Sequence, residues 1–141
     1  MSEDSCDFAA PVPFNFTANV TSSGDPVILV GDSVQGSVAY DPTQVGSGGV
    51  YTFTGSTKTH TFSFKDYRGG VQITADQYAG LATSLYQIVM SIVNNVTQMK
   101  ITGVTIAGRT VRMYFMANAN LGITLPTSMA NFNTSAGTFT C

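Results

Sequence analysis

The chain has 141 residues, enough for one domain that buries a sizeable core without metals or extra cross-links. Only 10% of the residues are charged, the net charge is −2, and the six Lys and Arg are scattered from Lys58 to Arg112. That excludes an electrostatic interface with nucleic acid or an anionic membrane, while the fifteen Phe and Tyr and the regular alternation exclude a disordered chain.

The lead "MSEDSCDFAAP" is acidic and has no apolar h-region, so it does not read as a signal peptide. No stretch approaches the roughly 18 apolar residues of a membrane-spanning helix. The expectation is a cytosolic chain, or a mature form whose export signal is already gone. Next comes "VPFNFTANVT", in which Phe14, Phe16, Ala18 and Val20 fall on one face of a strand and Asn15, Thr17, Asn19 and Thr21 on the other. Period-2 segments then predict strands over Ser33–Tyr40, Val50–Thr54, Thr59–Phe64, Gly70–Thr74, Leu85–Asn94, Gln98–Ile106, Thr110–Met116 and Gly137–Cys141. The intervening "SSGDP", "YDPTQVGSGG", "DYRGG", "VNN", "AGR" and "NANLG" are turn chemistry. In "DQYAGLATSLYQIVMSIVNN" helical and strand spacings compete. The β-branched second half favours a strand from Leu85, after a helical turn or loop over Asp76–Thr83. About nine short strands predict an all-β fold, a single β-sandwich of jelly-roll type.

Residues that carry chemistry are few. His60 is the one histidine, sharing a face with Phe62 and Phe64, and no motif supplies the partner that general-base work requires. "GDS" at Gly31–Ser33 has the form of an esterase nucleophile segment but lacks the downstream Asp-x-x-His, since no histidine follows the first half of the chain, and it reads as a turn entering a strand. "GSGG" at Gly46–Gly49 lacks the lysine and helix of a phosphate loop. Asp25, Asp32 and Asp41 lie in turns, outside any calcium-loop pattern, and "DYR" at Asp66–Arg68 reads as a hairpin tip with a local ion pair of little worth. No enzyme activity, metal or cofactor is expected. The absence of Trp lowers, without removing, a carbohydrate platform.

Cys6 and Cys141 lie far apart in sequence. The spacing excludes a CxxC site, and a disulfide closing so long a loop would add roughly 4–5 kcal/mol on the entropic model. They are read as pairing within one chain, as linking one subunit's arm to the next subunit's end, or as two free thiols. Asn-X-Ser/Thr sequons occur at Asn15, Asn19, Asn95 and Asn133, more than composition alone supplies, and suggest a glycosylatable outer surface.

Three segments carry a family likeness: "VGDSVQGSVAYDPT" (Val30 to Thr43), "YQIVMSIVNN", and "LPTSMANFNTSAGTFT" (Leu125 to Thr140). In order and spacing over most of residues 14–140, the chain resembles the short secreted β-sandwich proteins that carry PEP-CTERM sorting tails in biofilm-forming Gram-negative bacteria. The resemblance implies export, residence at the surface or in the matrix, and no established catalysis. No Pro-Glu-Pro, hydrophobic anchor or basic stop follows the last strand, so the sorting route is not implied.

Since the family-like region begins at Val30 and "TSSGDP" makes a plausible hinge, two parts are expected: an arm over residues 1–24 and a sandwich over residues 25–141. Donated to a neighbour, the arm would fill a groove with Phe14, Phe16 and Val20 and add main-chain hydrogen bonds. Such a head-to-tail contact propagates as a filament. The function expected is therefore an extracellular structural protein that polymerises with itself by N-terminal strand exchange. The alternative is a secreted module that binds polysaccharide or another matrix component.

Overall fold

The computed structural model describes residues 11–53, 61–73, 85–104 and 110–141. The expected helical turn over residues 76–83 and His60 lie outside them. Among the described residues nine strands form, each overlapping an expected span: β1 (Val12–Ser22), β2 (Ser33–Tyr40), β3 (Val50–Thr52), β4 (Thr61–Arg68), β5 (Val71–Gln72), β6 (Leu85–Val93), β7 (Val96–Val104), β8 (Thr110–Met116) and β9 (Gly137–Thr140). The fold is all-β, and no helix occurs among the described residues.

The strands hydrogen-bond into one open mixed sheet in the order β3-β6-β7-β8-β9-β1-β2-β4-β5. Neighbours are antiparallel except β1 and β9, which run parallel with Ala18 beside Gly137 and Val20 beside Phe139. Phe64 on β4 and Phe139 on β9 stand three strand spacings apart, about 14 Å on a flat sheet. Their ring centroids are 5.3 Å apart, so the sheet curls with its apolar face inward. Curling lets a single sheet enclose one core, filled by Phe16, Phe62, Phe64, Phe115, Phe139, Ile88, Met99, Ile101 and Met113. Leu125, Met129 and Phe132, on the connection from β8 to β9, close one end of that core, and Tyr40 Oη donates to Pro126 O at 2.6 Å.

Two local features follow from side-chain size and backbone hand. Gly36 on β2 lies between Phe16 on β1 and Phe64 on β4 in the sheet register. A Cβ there would stand 2.0 Å from Ser63 O and 2.7 Å from Phe64 Cα, so only glycine allows β2 and β4 their close approach. The β6–β7 turn places Asn94 and Asn95 at φ 52° and 66°, the left-handed pair that suits the twist of a two-residue hairpin.

The structure departs from expectation in β4, which continues through "KDYR" to Arg68. The alternation Phe62, Phe64, Asp66 persists, all three buried on the core face. The turn is Gly69–Gly70, at φ 61° and 82°. "DYR" is therefore strand and not a hairpin tip. The expected boundary at residue 24 falls between β1 and β2, which pair from Val12↔Tyr40 to Asn19↔Ser33 within the one sheet.

Candidate functional site

The strand expected as an arm lies at the middle of the sheet. β1 is bonded to β2 on one side and β9 on the other, so among the described strands it is the one that pairs with both half-sheets, β3-β6-β7-β8-β9 and β2-β4-β5. Phe16, Ala18 and Val20 are buried as the alternation predicts; Val12 joins them, and Phe14 is half-buried against Tyr40 and Phe115. The strand meets the rest of the described fold covalently through one connection, residues 23–32.

That connection is highly ordered by its own side chains. Asp25 Oδ1 accepts from the amides of Val27 at 2.7 Å and Ile28 at 3.2 Å, and Ser23 Oγ donates to Ile28 O. Ile28 is fully buried and caps the core. Gly31 N donates to Val20 O and Val20 N to Asp32 O, both at 2.9 Å, tying the loop to the end of β1. Arg68 then reaches over from β4: Nε donates to Asp32 Oδ1 at 2.8 Å, and Nη2 donates to Asp32 Oδ2 at 2.9 Å and to Val27 O at 2.8 Å.

Two residues before Arg68 on the same strand sits Asp66, fully buried, while Asp32 is itself only 2% exposed. The Arg68 guanidinium hydrogen-bonded to Asp32 holds that carboxyl down to about 2. Burial pushes the Asp66 carboxyl up to about 7, and the hydrogen bond and charge of Asp32 add to the rise. The ion pair of Arg68 is thus made with Asp32, 36 residues away, and not within "DYR". Sequence reasoning missed the role of Asp66. Its signal was a carboxylate at the inward position of a strand whose two preceding inward residues are Phe.

On the opposite face of β1 the surface is polar and uncharged. Asn15, Thr17, Gln35, Ser37, Thr134 and Ser135 border a shallow groove of about 540 Å³. Thr17 N donates to Thr134 O at 2.8 Å, which places the third of these segments beside the strand. All four sequon asparagines are exposed: Asn15 and Asn19 on β1, Asn95 in the β6–β7 turn, and Asn133, whose Oδ1 accepts from the Ser135 amide and hydroxyl. Asn15 and the Thr134–Ser135 part of the Asn133 sequon therefore border the same groove.

Cys141 is a half-buried thiol at the far end of β1, with its amide donating to Ser22 O at 3.1 Å and its Sγ 3.3 Å from Ser23 Oγ. Cys6, the other half of the expected disulfide, lies outside the described residues.

Among the described residues, no group of three or more His, Cys, Asp or Glu side chains converges as metal ligands. No protein-family model, curated protein or solved structure matches the chain.

Proposed function

We propose that the chain is a structural β-protein of an extracellular surface or matrix that associates with itself by exchanging β1 between copies. One observation carries the reading: among the described strands β1 is the one that pairs with both half-sheets, and its side chains help fill their shared core, so whichever copy supplies it completes the fold. Burial of Val12, Phe16 and Val20 contributes roughly 5–9 kcal/mol before ordering costs. Opened out, the connection from Ser22 to Ser33 spans up to about 38 Å, close to the width of a domain of this size. That is sufficient to deliver β1 to an adjacent copy. Export and matrix residence rest on the family likeness of the Val30–Thr43 and Leu125–Thr140 segments.

Electron micrographs and sedimentation of the full chain, alone and with excess synthetic peptide of residues 11–24, test the reading. Filaments or oligomers that shorten as peptide fills the open slots are the expected result. A chain that stays monomeric at every concentration overturns it.

A second reading, a neutral polysaccharide as ligand, is favoured by the charge-free groove beside β1, whose amides and hydroxyls suit sugar hydroxyls. Amide shifts confined to residues 15–17, 35–37 and 134–135 on titration with a neutral glycan would support it. Shifts at none of these positions would dismiss it.

A further inference from the structure

Strand exchange fixes which ends of two copies come together. β1 lies in its slot with Val12 beside Tyr40 at one end and Asn19 beside Ser33 at the other, where β2 begins. β4 finishes at the same place, with Tyr67 across from Ser33. A connection that crosses to a second copy therefore leaves one molecule and enters the other at this same end. Its eleven steps from Ser22 to Ser33 span at most about 38 Å, which limits how far apart the two connection ends can lie.

Apolar side chains are exposed at that end. Leu29 and Val30 in the connection are 44% and 64% exposed, and Val71 and Ile73, just past the β4–β5 turn, are 63% and 37% exposed. They gather around Arg68. The β4–β5 register sets Val71 directly across from Arg68, with both side chains on one face. Arg68 Nη2 donates to Asp32 Oδ2 at 2.9 Å, and the Leu29 amide donates to the same oxygen at 3.0 Å. Ile73 N donates to the backbone carbonyl of Asp66, two residues before Arg68, at 2.8 Å. Together the four side chains present roughly 300 Å² of apolar surface, the size at which a patch marks an interaction site. A two-fold contact buries the same patch on both copies, about 600 Å² in all. Interfaces are a little over half apolar, which puts the whole contact near 1,100 Å², above the threshold of about 1,000 Å² for a specific association. The opposite end also exposes apolar side chains, among them Val45, Ile92, Leu121 and Ile123. That end lies a full β1 length away, about 33 Å, and an exchanged connection neither starts nor finishes there.

We propose that the face formed by Leu29, Val30, Val71 and Ile73 is a two-fold contact through which two copies of this chain pair, connection end to connection end, before β1 is exchanged. The choice of a second copy as partner rests on the exchange reading, because exchange needs these two ends side by side. The face is complete while β1 still lies in its own sheet, so pairing needs no strand to move. It then holds each connection beside the slot that its strand would enter. A contact of this kind is isologous and closes as a dimer, which makes the dimer the unit from which exchange proceeds.

The test is sedimentation of the full chain over a wide concentration range, wild type beside Val71→Asp, Val30→Asp and Leu121→Asp, each with and without the peptide of residues 11–24. Val30 and Val71 are more than half exposed, so both variants are expected to keep the stability of the folded monomer. Each buries an unpaired carboxylate twice in a two-fold contact, and the dissociation constant of the dimer is expected to rise at least tenfold. Leu121→Asp, at the opposite end, is expected to change it by less than about twofold. A wild type that stays monomeric at every concentration overturns the contact, as does association unchanged by both Val71→Asp and Val30→Asp. Weakening by Leu121→Asp alone moves the contact to the other end and overturns it too. Association lost in the Val71 and Val30 variants yet insensitive to the peptide supports the face and removes the exchange reading. Association blocked by the peptide but unchanged in those two variants does the reverse.

Discussion

Replacing Gly36 by alanine tests the packing that holds β1, β2 and β4 together. The added methyl would meet Ser63 O at 2.0 Å and the Phe64 Cα and Cβ at 2.7 and 2.9 Å. Two of these atoms are backbone and the third is fixed to it, so no side-chain rotation relieves the contact. β2 is confined on its other side by β1, with Gly36 opposite Phe16. Relief requires β2 and β4 to part by more than an ångström, straining the bonds of the Gly36–Phe64 pair. Overpacking of this kind costs about 1–3 kcal/mol, and each weakened ladder bond adds about 1 kcal/mol. The smaller conformational freedom of alanine in the unfolded chain offsets about 0.4–1 kcal/mol. The net expectation is a loss of about 2–4 kcal/mol, read from urea unfolding at constant m-value, with the exposed Gln35→Ala as a control that changes less than about 0.5 kcal/mol. A Gly36→Ala protein as stable as the wild type would refute the account of β2 as clamped between two aromatic neighbours.

Other expectations rest on different parts of the molecule. Asn95→Val is expected to cost about 1–2 kcal/mol, because a β-branched residue is forced to φ 66°, whereas Asn95→Gly should change stability by less than about 0.5 kcal/mol; thermal unfolding separates them. Tyr40→Phe removes the 2.6 Å bond to Pro126 O that ties β2 to the β8–β9 connection, and should lower stability by about 1–2 kcal/mol in denaturant titrations. Arg68→Met leaves the Asp32 carboxylate without its cation, so the variant should unfold at lower urea than the wild type at pH 5. The gap should close as pH falls from 4 to 2, where the wild type also loses the depressed carboxylate's contribution.

The strands were legible in the sequence because alternation is a local property: each inward residue is apolar and each outward one polar within five to eleven positions. Phe16, Ala18 and Val20 were found this way, as were the turn at Asn94–Asn95 and the start of β2 just after Gly31–Asp32. The end of β4 was misplaced because Asp66 breaks the apolar rule while keeping the period, and a carboxylate at an inward position looks like a turn until its partner is known. That partner, Asp32, and the cation that serves it, Arg68, come from opposite ends of a 36-residue interval, and nothing local pairs them. Strand order is likewise non-local. The parallel seating of β1 beside β9 arises because the sheet curls until Phe139 meets Phe64, and that closure makes the first strand the bridge between two halves. The alternating pattern by itself determined that this chain is built of strands and which face of each is dry. Only the tertiary structure decided that β1 is central and that Arg68 of β4 reaches over the connection behind it to Asp32, because each depends on distances between segments that the chain brings together only when it folds.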